Sequence, residues 1–281
     1  MKFRKHSYIL AVVFAIIVVL VSFTYSFSTC SSEEEQLACP TDTNATILRI
    51  KDRGVLLVGT TGDYRPLTFV EPDGSYWGFD IELAEAIAKK LAVDIKFVPT
   101  SWPTLTSDVM AEPQQFDLAM CGITITDKRC ELMLMSDGYL ANGKTILCRA
   151  TDAERFLSLE DIDKPEVTVM VNPGGTNELF AKDRLSHAKT IIHQRNEEIP
   201  SLIAEGEADI MITEITEAPY YISNDNRLSA PLINTPFTNS FIGALMPKGQ
   251  EDLLNLVNEL IQQMRADGSL KQLHEKYGLA F

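Results

Sequence analysis

The feature that most constrains the fold is the alternation of short apolar runs with amphipathic stretches from about residue 47 to the C-terminus. Short apolar runs are typical of buried strands, and apolar residues at helical spacing are typical of helices. The clearest helix is predicted at Gly78–Leu91. The predicted strands are Val55–Thr60, Ile95–Pro99, Phe116–Ile123, Val167–Val171, Thr190–His193 and Asp209–Thr213. Strands separated by helices predict parallel sheets with helical crossovers, and therefore an α/β fold.

The alternation runs in two series, which predicts two lobes. A second series restarts near Val167, and the extended apolar segments Lys144–Arg149 and Leu232–Leu245 at its edges are predicted to cross between the lobes. Lobe 1 is then residues 47–143 plus 239–281, and lobe 2 is residues 144–238. The final helices, Glu251–Asp267 and Ser269–Tyr277, belong to lobe 1. The predicted molecule is a hinged clamshell with a ligand cleft between its lobes.

The N-terminal residues 1–30 resemble an export signal. Basic residues precede the uncharged apolar run Ile9–Phe23, and small and hydroxyl residues follow it. Cleavage, lipid attachment at Cys30 and a retained N-terminal anchor stay open, because the run is long for a signal peptide and slightly short for a membrane span. Residues 31–46, rich in Ser, Glu, Thr and Asp, are predicted to form a flexible tether. We expect a periplasmic or extracellular protein that contacts the membrane only through this N-terminal segment.

The charge balance argues against nucleic-acid binding. The chain has 39 Asp and Glu residues against 25 Lys and Arg residues, a formal net charge of -14, whereas proteins that grip phosphate backbones are basic. The four histidines are scattered and no cysteine has a ligand at metal-site spacing, so no metal and no cofactor are predicted. Among Cys121, Cys130 and Cys148, a disulfide and buried free thiols are both open interpretations.

A predicted anion site follows the first strand of lobe 2. Val167–Val171 runs into the segment NPGGTNE, residues 172–178. Its glycines allow a tight turn, and the N–H groups of the helix start, with the Thr176 hydroxyl, form an anion pocket at the expected mouth of the cleft. The alternative is an ordinary strand-to-helix turn with Thr176 or Asn177 as its N-cap.

A matching site is predicted in lobe 1, where Thr124 and Arg129 follow the strand Phe116–Ile123. The planar guanidinium of an arginine holds a carboxylate through two hydrogen bonds, and Thr124 adds a hydroxyl donor. The alternative is an exposed loop arginine. Together the two sites predict that a small carboxylic acid or amino acid is clamped between the lobes.

Two carboxylates follow the strand Asp209–Thr213. Glu214 and Glu217 are three residues apart, so a helical start places both on one face. Two carboxylates in a dry cleft do not both ionise readily, so one would have a raised pKa and act as an acid at neutral pH. The alternative is a pair of solvated acids at a helix start.

Several side chains are predicted to complete the cleft. Asp63, Tyr64 and Trp102 follow strand ends in lobe 1, where the aromatic rings could wall a ring-shaped ligand. Trp102 could equally be a packing residue. Lys144 is either a further positive charge in the site or a lysine whose ammonium reaches solvent.

These residues add up to a resemblance to the family 3 extracellular solute-binding proteins, the polar amino-acid binders of bacterial transport systems. The motifs that carry it are GDYRPL at 62–67, GFD at 78–80, FDLA at 116–119, GITIT at 122–126 with Arg129, and Ala208–Asp209. The similarity runs from about Ile47 to the C-terminus. It implies a two-lobed, type II periplasmic-binding-protein-like clamshell, and for a transport receptor it implies an ABC transporter permease as partner.

A narrower set of motifs resembles the cyclohexadienyl dehydratases of that fold: VPTSWP at 98–103, GKT at 143–145, VNPGGTNE at 171–178 and TEITEA at 213–218. That resemblance implies that Glu217 is the general acid. The positions matching its active-site and substrate-binding residues are Asp63, Tyr64, Trp102, Arg129, Lys144, Thr176 and Asn177. Glu214 departs from the pattern, where aspartate is expected, so the choice between prephenate and arogenate stays open.

The sequence therefore supports two hypotheses. The first is an exported cyclohexadienyl dehydratase that converts prephenate to phenylpyruvate, arogenate to phenylalanine, or both. In it Glu217 protonates the leaving hydroxide, Lys144 assists, and Thr124, Thr176 and Arg129 help to hold the substrate. The second is a non-enzymatic amino-acid receptor of an ABC transporter, in which Glu214 binds the ligand ammonium and Glu217 has no role.

Overall fold

The structure is a computed structural model, and it describes residues 45–280. The predicted signal or anchor and residues 31–44 of the predicted tether lie outside the described residues, as do Cys30 and Cys39. Among the described residues, no helix has both the length and the apolar character needed to cross a bilayer.

Helices and strands alternate along the described chain. The helices are α1 (Ala45–Arg53), α2 (Phe79–Leu91), α3 (Leu105–Val109), α4 (Asp127–Leu132), α5 (Leu159–Ile162), α6 (Thr176–Arg184), α7 (Ile199–Glu205), α8 (Ala218–Asn224), α9 (Glu251–Ala266) and α10 (Ser269–Lys276). The strands are β1 (Val55–Thr60), β2 (Asp63–Tyr64), β3 (Thr68–Val70), β4 (Tyr76–Trp77), β5 (Asp94–Pro99), β6 (Leu118–Ala119), β7 (Leu134–Met135), β8 (Leu140–Asn142), β9 (Lys144–Arg149), β10 (Thr168–Val171), β11 (Lys189–Ile192), β12 (Ile210–Glu214), β13 (Leu228–Ser229), β14 (Ser240–Ile242) and β15 (Leu245–Met246). Short 3₁₀ helices lie at Ala150–Arg155 and Asn196–Glu198.

Lobe 1 is built on a sheet of strand order β5-β1-β6-β15-β7. β1 pairs in parallel with β5 and β6, whereas β15 pairs antiparallel with β6 and β7. The helix α2 covers this sheet with Leu83, Ile87 and Leu91, four residues apart and therefore on one face. The predicted final helices are confirmed as α9 and α10, and both contribute to the same core.

Lobe 2 is built on a second sheet, of strand order β11-β10-β12-β9-β13. β10 pairs in parallel with β11 and β12, and β9 pairs antiparallel with β12. The α/β class and the two lobes are thus confirmed, but the sheets are mixed rather than purely parallel. The predicted limits of the lobes in sequence stay predictions.

The prediction that Lys144–Arg149 is a crossing segment is wrong. These residues form β9 of the lobe 2 sheet, between β12 and β13. All but the last are buried, because a strand with neighbours on both sides lies in the centre of the sheet. The crossing lies just before it, where β8 pairs antiparallel with β14. The other predicted segment, Leu232–Leu245, contains β14.

One predicted strand is much too long. Phe116–Ile123 is buried almost throughout, yet only Leu118–Ala119 pairs as β6. The chain leaves the strand before Gly122, whose φ of 77° lies in the left-handed region and cannot belong to a strand. The remaining predicted strands are confirmed to within a residue at each end.

The cysteines of the described chain are unpaired. Cys121, Cys130 and Cys148 are all free thiols, so the disulfide interpretation is wrong for these three. Cys121 and Cys148 are buried, and burial raises the pKa of Cys148 to about 12. Cys130 is exposed, against the expectation of a buried thiol.

Candidate active site

Side chains from both lobes line a narrow cavity of about 20 Å³, which is room for about one water molecule. Loops that follow the strands of each sheet supply its walls, as expected for ligand sites of open α/β sheets. Lobe 1 contributes Tyr64, Trp102 and Gly122, and lobe 2 contributes Asn172, Gly175, Thr176, Asn177, Asn196 and Glu214.

A buried ion pair lies on the lobe 2 side. Lys144 begins β9 and Glu214 ends β12, and the two residues are direct partners in the antiparallel register. The Lys144 Nζ lies 2.5 Å from Glu214 Oε1, with both residues buried. Burial alone would raise the pKa of Glu214, but the charge and hydrogen bond of Lys144 lower it overall.

The ammonium of Lys144 donates to three acceptors. Besides Glu214 it donates to Thr176 Oγ1 at 2.7 Å and to Asn177 Oδ1 at 2.5 Å. Since an ammonium has three N–H groups, these bonds use all of them. They also hold the first turn of α6, where the N-cap position is Gly175 and no side chain caps the helix. The interpretation of Thr176 or Asn177 as an N-cap is therefore wrong.

Glu217 is fully buried at the start of α8. Its Oε2 accepts a hydrogen bond from Thr213 Oγ1 at 2.5 Å, and its Oε1 accepts one from Asn196 Nδ2 at 2.7 Å. Among the described residues no cation lies within ion-pair distance of this carboxyl. Burial, helped by the nearby charges of Glu214 and Asp63, raises the pKa of Glu217 to about 8 despite these hydrogen bonds. The interpretation of Glu217 as a solvated acid is wrong.

The two lobes touch across the cleft through polar groups. Tyr64 donates a hydrogen bond to Glu214 Oε2, and Thr124 Oγ1 donates to Glu214 Oε1 at 3.2 Å. Asn196 Nδ2, besides binding Glu217, reaches the backbone oxygen of Asp63 at 3.2 Å. The described contacts therefore connect the lobe 2 carboxylates to lobe 1.

The predicted aromatic wall is present in lobe 1. The rings of Tyr64 and Trp102 meet edge to face, with centroids 5.9 Å apart, and both line the cavity. Trp102 Nε1 donates to Asp63 Oδ1 at 3.1 Å, and burial raises the pKa of Asp63. Trp102 also packs against the lobe 1 core, so the packing interpretation is confirmed and its role toward a ligand stays a prediction.

Arg129 is half-buried beside the cavity and is not among the residues that line it. Its Nη1 donates to the backbone oxygen of Thr124 at 2.6 Å, and within residues 45–280 it forms no ion pair. The guanidinium therefore keeps further N–H donors for an incoming carboxylate.

Two cavity residues had no predicted role. Asn172 and Asn196 are both buried, and each has a side-chain Oδ1 without a hydrogen-bond partner. Buried polar atoms are normally paired, so these two oxygens are unpaired acceptors on residues that line the cavity. Asn172 begins the NPGGTNE motif, which offered a signal for it. Asn196 lies in a 3₁₀ helix far from any motif, and nothing in its neighbourhood marked it.

The backbones of the two lobes lie close together at Gly174. Its φ is 79°, and a Cβ placed there would lie 2.5 Å from the Cα and N atoms of Pro103 in lobe 1. Only glycine allows this contact, since an added methyl group would collide with backbone that has no freedom to rotate away.

Three known proteins are similar to this chain over most of its length. Cyclohexadienyl dehydratase of Pseudomonas aeruginosa is 38% identical over 229 residues, 82% of this chain and 84% of that protein. The crystal structure of an ancestral amino acid-binding protein, described as a precursor of cyclohexadienyl dehydratase, matches with a TM-score of 0.76 at 38% identity, over 83% of this chain and 99% of the other. The structure of an ancestral cyclohexadienyl dehydratase is 48% identical over 82% of this chain and 95% of the other, with a TM-score of 0.51.

The family model for bacterial extracellular solute-binding proteins, family 3, matches residues 56–280, nearly the whole described chain. The lobes, the mixed sheets and the cleft described above agree with that match. This chain is a member of the family 3 bacterial extracellular solute-binding proteins.

Proposed function

We propose that the protein is a decarboxylating dehydratase of cyclohexadienyl acids, with Glu217 as its general acid. The observation that carries the proposal is the environment of Glu217, which is wholly buried near the junction of the lobes, without a cationic partner in the described chain and with a pKa of about 8. A carboxyl group in this environment is largely protonated at neutral pH and has a proton to give. The 38% identity to a dehydratase over most of the chain supports the same class.

The reaction requires one proton from the enzyme. The bond from the ring to its carboxylate breaks and releases CO₂, and the electron pair moves into the ring. The ring–hydroxyl bond breaks at the opposite carbon, and the leaving hydroxide takes the proton of Glu217 to become water. The ring becomes aromatic, and solvent reprotonates Glu217 after the turnover. Positioned general acids of this kind contribute about 10² to 10⁴ in rate.

The other side chains would bind and orient the substrate. Tyr64 and Trp102 would cover the faces and edge of the ring. Arg129, Thr124 and the N–H groups at the start of α6, with Thr176 and Asn177, would hold carboxylate groups, and Asp63 would fix Trp102 through its indole N–H. Lys144 would act through charge, since its three N–H groups are already donated.

In this proposal the proton moves from Glu217 to the substrate along a path that passes the side chain of Asn196. Glu217 does not line the cavity, whereas the Asn196 amide that donates to it does. A general acid must come within hydrogen-bond reach of its acceptor, directly or through one water. We therefore propose that the substrate hydroxyl donates a hydrogen bond to the unpaired Oδ1 of Asn196. Rotation of this amide would then open the path between the hydroxyl and Glu217.

An amino-acid receptor is the second candidate function. It is favoured by the close structural match to an ancestral amino acid-binding protein. In that case Glu214 would bind the ligand ammonium and Glu217 would be a structural residue. Export to the periplasm or the cell surface fits either function, and a transporter permease would be a partner only of the receptor.

Incubation of the purified protein with prephenate and with arogenate decides between them. We expect phenylpyruvate or phenylalanine to form, and Glu217→Gln to lower kcat by about 10² to 10⁴. The matched control is Glu205→Gln, at an exposed glutamate of α7, which we expect to leave kcat unchanged. Absence of turnover together with strong thermal stabilisation by a standard amino acid would establish the receptor instead.

A further inference from the structure

We propose that Lys144 makes the cavity select the keto acid, prephenate, against its amino-acid counterpart, arogenate. The two compounds differ at the carbon next to the side-chain carboxylate, which carries a ketone in prephenate and an ammonium group in arogenate. This inference rests on the proposed function and names the substrate of the same site.

The first reason is that the carboxylate of Glu214 already has a cation. Among the described residues that line the cavity, Glu214 alone has a charged side chain, and it would be the natural partner of a ligand ammonium. Lys144 compensates it at 2.5 Å. The two residues are paired across neighbouring strands of one sheet, so the pairing belongs to lobe 2 and does not depend on closure of the cleft.

The second reason is that the oxygens of Glu214 are occupied. Oε1 accepts from Lys144 and Thr124, and Oε2 accepts from Tyr64. A ligand ammonium would have to displace one of these donors, and displacing Lys144 would leave an unpaired ammonium in a buried site. The penalty for an unpaired buried charge is large.

The third reason is that residues 45–280 offer no other acceptor at the cavity that would compensate a positive ligand. Asp63 binds the indole N–H of Trp102, and both oxygens of Glu217 accept hydrogen bonds. The free buried acceptors at the cavity are the amide oxygens of Asn172 and Asn196. An amide oxygen suits a hydroxyl group but carries no charge to balance an ammonium.

An unpaired cation and free N–H donors lie next to this site. Arg129 is without an anionic partner in the described chain, and the uncapped helix start at Gly175 adds N–H groups. These features suit a ligand that brings two carboxylates and no cation. Prephenate has that charge pattern and arogenate does not.

The test compares kcat/KM for the two substrates under the same conditions. For the wild-type protein we expect kcat/KM for prephenate to exceed that for arogenate by at least about tenfold. Lys144→Met keeps the length of the side chain and removes its charge, which frees Glu214. We expect overall activity to fall in this variant and the ratio to move at least about tenfold toward arogenate.

Two further variants serve as controls. Lys144→Arg keeps a cation beside Glu214 and should keep the preference for prephenate. Lys164→Met removes an exposed lysine that pairs with Asp161 at the surface and should leave the ratio unchanged. Should Lys144→Met fail to fold, as judged by its circular dichroism, the wild-type ratio still decides.

The outcomes separate the two proposals. Equal or better use of arogenate by the wild-type protein overturns the present inference while leaving the dehydratase in place. Turnover of neither compound overturns the proposed function, and thermal shift with phenylpyruvate and with L-phenylalanine then tests the selectivity alone. Stabilisation by phenylpyruvate would support the inference, and stabilisation by L-phenylalanine or another amino acid would overturn it.

Discussion

Glu217 and Glu214 are three residues apart, yet their surroundings give them opposite proton affinities. Lys144 and the other donors lower the pKa of Glu214, whereas burial without a cation raises that of Glu217 to about 8. Divergent pKa values in neighbouring carboxyls are the usual means by which one site holds both an anion and an acid. The difference between the two pKa values arises because Lys144 lies beside Glu214 and not beside Glu217.

The first prediction concerns the pH dependence of turnover. Because Glu217 must carry its proton into the reaction, we expect kcat for prephenate to be constant below about pH 7 and to fall as pH rises through about 8. Above that pH the decline should approach tenfold per pH unit. Continuous measurement of phenylpyruvate formation from pH 5 to 10 provides the profile. A rate that stays constant to pH 10 would contradict the role of Glu217.

The second prediction concerns Gly174. An alanine there would clash with the backbone of Pro103 and would adopt an unfavourable φ, so the lobes of Gly174→Ala should not close fully. We expect kcat/KM to fall by about 10² or more, with unchanged secondary structure by circular dichroism. Gly249→Ala is the matched control, because Gly249 also has a positive φ but has no neighbour near the added methyl group. Similar losses in both variants would show that strain rather than closure is responsible.

Sequence reasoning was most successful for residues that sit in motifs. Tyr64, Trp102, Thr176 and Glu214, expected at the cleft from strand ends, and Asn177, expected from the family resemblance, all line the cavity, while their roles stay predictions. The sequence did not indicate Asn196, because the position of a single asparagine does not show what its amide will bind. In the structure that amide donates to Glu217 and to the backbone oxygen of Asp63. Local sequence also does not predict that Lys144 donates all three of its N–H groups, because the acceptors lie on α6 and β12, at least 32 residues further along the chain.

At the scale of elements, α8 links the acid to the opposite lobe. Glu217 precedes α8, and Tyr220 on the same helix accepts a hydrogen bond from Arg65 Nη1 at 3.1 Å. Arg65 belongs to lobe 1, where its guanidinium lies 3.2 Å from the ring centroid of Phe69 and 5.0 Å from that of Trp77. The contact therefore connects α8 of lobe 2 to Arg65 and the aromatic rings around it in lobe 1.

The third prediction tests this contact. Tyr220→Ala removes both the ring and the hydroxyl, so the closed arrangement loses a stabilising contact and KM should rise about fivefold to tenfold. Tyr220→Phe keeps the ring beside Arg65 and should have a smaller effect. Steady-state kinetics on prephenate measures both. An unchanged KM in Tyr220→Ala would mean that closure does not depend on this contact.

The elements themselves were predicted unevenly, for physical reasons. Strands flanked by turns, such as Val55–Thr60, were located correctly because local apolar pattern decides them. β9 was misread because a central antiparallel strand and a buried connection have the same local composition, and only pairing with β12 distinguishes them. β6 was predicted too long because burial continues after pairing has ended.

At the scale of the whole molecule, a buried acid with a raised pKa costs stability. The folded protein binds the Glu217 proton more tightly than the unfolded chain does, so the free energy of unfolding falls as pH rises from about 5 to 8 and then levels off. Asp80, whose pKa burial raises to about 7, acts in the same direction. Function and stability therefore make opposing demands on the same carboxyl.

The fourth prediction follows from that opposition. Glu217→Gln removes the ionisable group, so we expect its free energy of unfolding to exceed that of the wild type at pH 9, although its kcat is strongly reduced. Near pH 5, where the wild-type carboxyl is protonated, the two proteins should be similar. Urea denaturation at both pH values measures the difference, with Glu205→Gln as the neutral control. A Glu217→Gln protein that is less stable at pH 9 would contradict the raised pKa.

The pairing of β8 with β14 has a mechanical consequence for the site. Lys144 follows β8 by two residues, and its backbone N–H and C=O are tied to Thr238 and Phe237 on the returning chain. A rotation about this crossing moves atoms in proportion to their distance from the pivot. The ammonium of Lys144 would stay with its lobe 2 partners when the clamshell opens, because Glu214, Thr176 and Asn177 belong to the same lobe. The lobe 1 donors Tyr64 and Thr124 would instead separate from Glu214, so opening would free oxygens of Glu214 without removing its counter-ion.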